Sequence, residues 1–172
     1  MTPPLSTFNL VLVPYQQRLL RQQHVDWLND PETVKYSEQR HRKHTMDTQR
    51  QYLWTFPKNS HIWLIEYALS PTTELKAIGT ITAYIDEPNG VANMGIMLGE
   101  KRGRGHGIAA WSTVMDYLFQ NGIRKVEAGM MAVNGGMRAI CRKSKMNYEG
   151  TQLDHFIFEG KPCDLLHYGK IK

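Results

Sequence analysis

A glycine at every second position, Gly103, Gly105 and Gly107, lies between a short apolar run and an apolar helical pattern. No other feature constrains the fold of this chain as much. The run Val91 to Leu98 has the length and character of a strand. Beyond the glycines, Ile108, Trp111, Met115 and Leu118 recur at helical spacing, and Asn121-Gly122 supplies a stop. Alternating glycines let backbone N–H groups converge, and a following helix adds unpaired donors and the positive end of its dipole. Arg102, Arg104 and His106 are interleaved with them. Together these features predict a cradle for a phosphate or pyrophosphate.

Three such cradles can be compared. A P-loop needs Gly-x-x-x-x-Gly-Lys followed by Ser or Thr, which the chain lacks. A dinucleotide fingerprint is present in letter as Gly105-x-Gly107-x-x-Ala110, with Glu127 beyond it. That motif should open directly off a strand, whereas residues 99–104 intervene here, and too little chain follows for a second nucleotide-binding half. Arg102-x-x-Gly105-x-Gly107 instead resembles the pyrophosphate loop of the GNAT acetyltransferases.

Read from its start, the chain begins with a loose end at 1–6, then a strand over Phe8 to Tyr15 and a helix over Leu19 to Leu28. Asn29-Asp30-Pro31 breaks that helix, and Pro31 opens a short second one through Tyr36. The basic stretch Ser37 to His44 reads as a solvated loop or a substrate-facing flap; His41 and His44 have no clustered ligands to make a metal site. A third helix starts at Thr45, and Pro57 ends it. Strands follow at His61 to Leu69 and Leu75 to Ile85, with a turn at Ser70 to Glu74. After the cradle helix come a strand over Arg124 to Met131, a helix from Asn134 to about Ser144, and strands over Tyr148 to Phe158 and Cys163 to Tyr168. This order predicts one domain over 1–172, an α/β fold whose mixed, mostly antiparallel sheet carries helices on its faces.

The resemblance covers nearly the whole chain. Arg124 to Ala128 followed by Asn134 and by Tyr148-Glu149-Gly150, with Trp27 to Pro31 early and Asp164 to Tyr168 late, is similar to the enzymes acting on ribosomal-protein N-termini and on polyamines. It implies a sheet with two splayed strands, acetyl-CoA as co-substrate and a primary amine as acceptor. Donor binding would fall on the backbone of Ile96, Met97 and Leu98, on Arg102, Gly103, Arg104, Gly105, His106 and Gly107, and on Asn134 and Lys143. Asn134 would also cap its helix. Direct attack in a ternary complex would need a backbone N–H near Met97 aimed at the thioester oxygen. Glu127 is the first candidate base and Glu66 the second, with a water chain on an equal footing. Asn134, Glu127 and Met97 are therefore the catalytic candidates.

Two residues depart from the family pattern. Cys141 stands where many members place a proton-donating tyrosine; it reads either as a thiol acid or as core packing. Lys145 stands where glycine normally ends the helix, at the cost of a left-handed conformation. Cys141 and Cys163 form no metal or redox spacing, which suits a reducing cytoplasm. No apolar run approaches the ~18 residues of a membrane span, and no signal-peptide pattern opens the chain. The net charge of +5 favours an anionic ligand but accompanies no nucleic-acid motif. Acceptors left open are a protein N-terminus, a polyamine or small amine, and an amino sugar on a nucleotide. A noncatalytic acyl-CoA-binding module is the other function class, and no feature establishes or excludes a homodimer.

Overall fold

The apolar runs assemble edge to edge into one eight-stranded sheet, in a computed structural model that describes residues 2–7, 9–67 and 75–172. In chain order, β1 (Leu5–Thr7) and β2 (Leu10–Pro14) precede α1 (Gln22–Asn29), α2 (Pro31–Val34) and α3 (Met46–Thr55). Then come β3 (His61–Tyr67), β4 (Lys76–Asp86), β5 (Val91–Leu98) and α4 (His106–Gln120). The chain closes with β6 (Lys125–Met131), α5 (Gly135–Lys143), β7 (Asn147–Phe158) and β8 (Lys161–Ile171). The sheet order is β1-β2-β3-β4-β5-β6-β8-β7. Every neighbouring pair is antiparallel except β5 and β6.

Period-two alternation divides the strand side chains between two cores. Trp63, Ile65, Ile81, Ala83, Ala92, Met94, Val126 and Ala128 share a cluster with Trp111, Val114, Met115 and Leu118 of α4. Burying Trp111 or Leu118 contributes about 1.5–3 kcal/mol each, which is why α4 docks as a unit. Ile62 and Leu64 form a smaller cluster with Tyr15 and Leu20, against which Met46, Leu53 and Phe56 of the α3 region pack.

Several boundaries differ from the sequence expectation. The supposed loose end contains β1, which pairs with β2, while the Trp63 indole N–H donates to the Pro3 carbonyl at 2.7 Å. Tertiary pairing decides that strand, since its length carries no readable alternation. The helix expected from Leu19 starts at Gln22, because 17–19 close a separate 3-10 turn and Arg21 N–H donates to His24 Nδ1 at 3.1 Å. Pro31 does open α2, with Asp30 accepting from the Glu32 and Thr33 N–H groups, but α2 ends at Val34. The stretch 37–44 is not a free loop. A 3-10 turn spans Glu38–His41, and Asn29 exchanges two hydrogen bonds of 2.9 Å with the His44 backbone. The expected turn at Ser70 to Glu74 lies outside the described residues, as do Phe8 and Leu69.

At the end of α5, Lys145 adopts φ 57°. Met146 N–H donates to Cys141 C=O and Lys145 N–H to Arg142 C=O, so the helix keeps its usual left-handed termination despite the lysine. Lys145→Gly is expected to stabilise the protein by about 1 kcal/mol, raising Tm by roughly 2–4 °C in thermal melting. An unchanged or lowered Tm would show that the lysine side chain offsets the strain.

Candidate active site

The main chain itself makes the opening. β5 and β6 pair only over Val91↔Lys125, Ala92↔Val126 and Asn93↔Glu127, then part. An antiparallel ladder turns alternate residues toward each neighbour. Gly99 N–H donates to Ile78 C=O at 2.9 Å, and the β4–β5 register runs without a break, so Met97 pairs its backbone with Thr80. The N–H and C=O of Ile96 and Leu98 therefore face the other way, into the split. The same phase is fixed at the far end, where Gly90 C=O accepts from Arg124 N–H at 2.8 Å. Across the split, Ala132 N–H donates to Asp164 C=O, which commits even-numbered residues of β6 to β8 and turns Gly129 and Met131 inward. The sequence placed the polarising N–H near Met97; the ladder turns the N–H groups of its two neighbours inward instead.

The glycine loop continues from this strand. Lys101, Gly103 and Gly105 take φ of 52°, 76° and 84°, so left-handed residues alternate along the loop. That alternation turns successive N–H groups to one side, forming a concave nest for an anion. Gly105 is the N-cap of α4, whose first N–H groups lie uncommitted at its start. A Cβ on Gly103 or Gly105 would meet nothing within 4 Å. Gly107 differs: its Cβ would lie 3.2 Å from Ile140 Cδ1 and 3.3 Å from Leu98 Cδ1. Its lack of a side chain lets α4 settle against β5 and α5. His106 packs against Tyr67 with the rings tilted at 56° and 4.8 Å between centroids, and burial, with Lys101 and Arg104 nearby, lowers its pKa. It is therefore mainly neutral near pH 7, and the positive charge left to the loop rests on Arg104 and on Lys101, whose Nζ lies 4.9 Å over the Tyr67 ring.

Arg102 points elsewhere. Its Nε donates to Leu98 C=O at 2.7 Å and one Nη to Glu32 C=O at 3.3 Å, while the other Nη donates to Thr33 Oγ1. Asp30 lies 3.9 Å from that nitrogen.

Glu127 sits where the β5–β6 pairing ends, on the sheet face opposite α4. Lys125 Nζ approaches Glu127 Oε1 at 2.7 Å and Glu149 Oε2 at 2.8 Å. Hydrogen bonds to these two carboxylates raise the Lys125 pKa. By strand alternation Asn93, Gly95 and Gly129 share this face, leaving room beside the split. Glu66 lies on β3, three strand positions from β6, where burial raises its carboxyl pKa. Asn134 caps α5, its Oδ1 accepting from Met137 N–H at 3.0 Å. Lys143 ends α5 and is exposed, one helical turn beyond Ile140, which touches the α4 start. Cys141 is 0 % exposed in the main core, and burial pushes its thiol pKa up to about 12. Among the described residues no group of three metal-ligating side chains occurs, and no helix is long and apolar enough to cross a membrane.

The family model for the acetyltransferase (GNAT) domain matches residues 9–147. The chain belongs to the GNAT acetyltransferase family. No curated protein matches the sequence. Solved structures do match in fold. RimL, a ribosomal-protein α-N-acetyltransferase in complex with coenzyme A, aligns with TM-score 0.83 and 15% identity over 98% of each chain. The Salmonella typhimurium acetyltransferase that modifies the N-terminal serine of a 50S ribosomal subunit protein gives 0.80 and 14% over 99% of each. MccE, a microcin self-immunity acetyltransferase in complex with acetyl-CoA and AMP, gives 0.81 and 16% over 96% of this chain and 94% of that one.

Sequence reading of this GNAT acetyltransferase missed Trp27 as a neighbour of the site. Its ring lies on Gly99 so closely that any Cβ there would clash, fastening α1 to the end of β5. A glycine outside the loop motif, directly after a strand, was the available signal. Gly107→Val is expected to destabilise the fold by about 1–3 kcal/mol through overpacking against Ile140 and Leu98, read as a lower Tm. A parental Tm would show that the α4–α5 contact is loose.

Proposed function

We propose that this enzyme transfers the acetyl group of acetyl-CoA to a primary amine, with a protein N-terminus as first acceptor, by direct attack in a ternary complex. One observation carries the reading: inward-facing backbone of Ile96 and Leu98 runs directly into the N–H nest of 101–107 and the start of α4. A ligand with amide groups at one end and a pyrophosphate at the other fits that sequence of donors and acceptors. The loop N–H groups, the α4 N-terminus and Arg104 would hold the pyrophosphate, with Lys143 at the rim. The N–H and C=O of Ile96 and the N–H of Leu98 would pair with the pantetheine amides as a missing strand does, the Leu98 C=O already accepting from Arg102 Nε. An N–H of one of them, facing the split beside Met97, would stabilise negative charge developing on the thioester oxygen.

The acceptor nitrogen would approach over Gly95 and Gly129, its lone pair forming the new C–N bond as the C–S bond breaks. Glu127 would take the amine proton directly or through water, with Lys125 and Glu149 fixing its orientation. Asn134, beyond its cap, would order a water or the pantetheine with its side-chain amide. Cys141, sealed in the core with a raised pKa, favours packing over proton donation to the thiolate. The enzyme would work in the reducing cytosol, consistent with its two free cysteines. RimL and the Salmonella enzyme support a protein N-terminus because their likeness extends over nearly the whole of each chain. A net charge of +5 weighs against a polycationic acceptor.

The test is CoA release from acetyl-CoA with peptides bearing each free N-terminal residue, spermidine, and a nucleotide-linked amino sugar. Fastest turnover on a peptide is expected. Fastest turnover on the sugar or spermidine would replace the acceptor, and binding without turnover would mean a noncatalytic acyl-CoA module. On the best acceptor, Glu127→Gln is expected to lower kcat about 10²-fold or more and remove the acidic limb of the pH–rate profile. An unchanged profile would exclude Glu127 as base.

A further inference from the structure

The first cation of the glycine motif is directed away from the loop it belongs to. Arg102 reaches back to Leu98 C=O and across to α2, where it meets Glu32 C=O, Thr33 Oγ1 and the Asp30 carboxylate. Asp30 is held ionised by the Thr33 hydroxyl first, then by the Glu32 and Thr33 N–H groups and by Arg102. From this anchor the segment 30–41 crosses to the far wall of the split. Arg40 Nη1 lies 4.0 Å from Met131 Sδ at the end of β6, and Arg40 Nη2 donates to Ile157 C=O at 3.2 Å. Lys35 pairs with Glu159 at 3.6 Å, and Tyr36 stacks on Phe158 at 5.5 Å. One short segment thus bridges the diverging ends of β5 and β6, tied to the donor loop on one side and to the β7–β8 hairpin on the other.

We propose that Arg102 is a positioning residue rather than a phosphate ligand: it locks the strap 30–41 to the donor loop, so that filling the loop orders the wall of the acceptor site. The inference rests on the donor reading above. The geometry supplies the route. A pyrophosphate in the nest would fix φ and ψ through 101–107, and Arg102 would transmit that fixation to α2 through a planar fork with several acceptors at once. Trp27 against Gly99 keeps α1 in place whether the loop is filled or not, so the polar fork is the part that can respond. Coupling of this kind is reciprocal: an acceptor that steadies the strap must tighten CoA by the same factor.

Two variants separate the lock from a charge–phosphate contact. Arg102→Lys keeps the positive charge and loses the fork. The double variant Asp30→Asn, Thr33→Val removes the strap's side of the lock, keeps an asparagine cap for α2 and leaves the loop sequence intact. CoA affinity is measured by calorimetry, and amide hydrogen exchange is followed in 30–41 with and without CoA. In the parent, CoA is expected to slow exchange across 30–41 by about fivefold, an exposed polar lock being modest in strength. Both variants are expected to bind CoA within about threefold of the parent and to lose that protection. The acceptor KM for a peptide with a free N-terminal serine should rise in both, with kcat changed less. Equal protection in the variants, or none in a parent that binds CoA, would overturn the lock alone. So would a tenfold loss of CoA affinity in Arg102→Lys without a matching loss in the double variant, which would make Arg102 a phosphate ligand. A parent that does not bind CoA would overturn the donor reading and the lock with it.

Discussion

The parting of β5 from β6 after Asn93 and Glu127 is the constraint on which the rest of the site depends. Parallel strands normally exchange hydrogen bonds along their shared length, and main-chain groups withdrawn from water without partners cost free energy. Here Ile96 and Leu98 face Gly129 and Met131 across a widening gap. Through the divergence each strand remains paired on its other side, β5 to β4 and β6 to β8. The sheet is thus braced by pairing on both flanks of this opening, and whatever enters must answer the backbone there.

The elements around the opening follow from that geometry. α4 packs its apolar face on the strands that diverge, so its N-terminus projects at the wide end of the split. Gly107 sets how closely α4 and α5 approach, whereas Gly103 and Gly105 set the left-handed turns of the loop. Glycines that look alike in the motif therefore answer two different demands, contact with protein and backbone sign. On the opposite face, small residues at 95 and 129 keep the strand surface low beside Glu127, and the strap 30–41 spans the ends. In the proposed function, donor and acceptor would therefore meet from opposite sides of one sheet.

Much of this was legible in the sequence because it is local. Val91–Leu98 begins and ends where the apolar run does, and the spacing of Ile108 to Leu118 identifies the buried stripe of α4. Asn134 announces a cap by residue type and position. What sequence could not supply depends on partners far along the chain. β1 exists because β2 is beside it, and 37–44 is fastened because Asn29 faces His44. The direction of the Ile96 and Leu98 backbone follows from a ladder phase set by Ile78, and the direction of Arg102 from α2, some seventy residues earlier by motif position. Residue types placed positive charge at the loop; only the fold shows that Arg102 is occupied and that burial keeps His106 mostly neutral.

On the proposed function, the split and the nest would form one continuous donor site, read by backbone on the strand and by N–H groups on the loop. Backbone amide NMR during titration with CoA tests it most directly. Large amide shifts are expected at Ile96, Leu98 and 103–107, with a smaller shift at Met97, whose N–H is committed to β4. Shifts confined to other strands, with Ile96 and Leu98 unmoved at saturation, would contradict it.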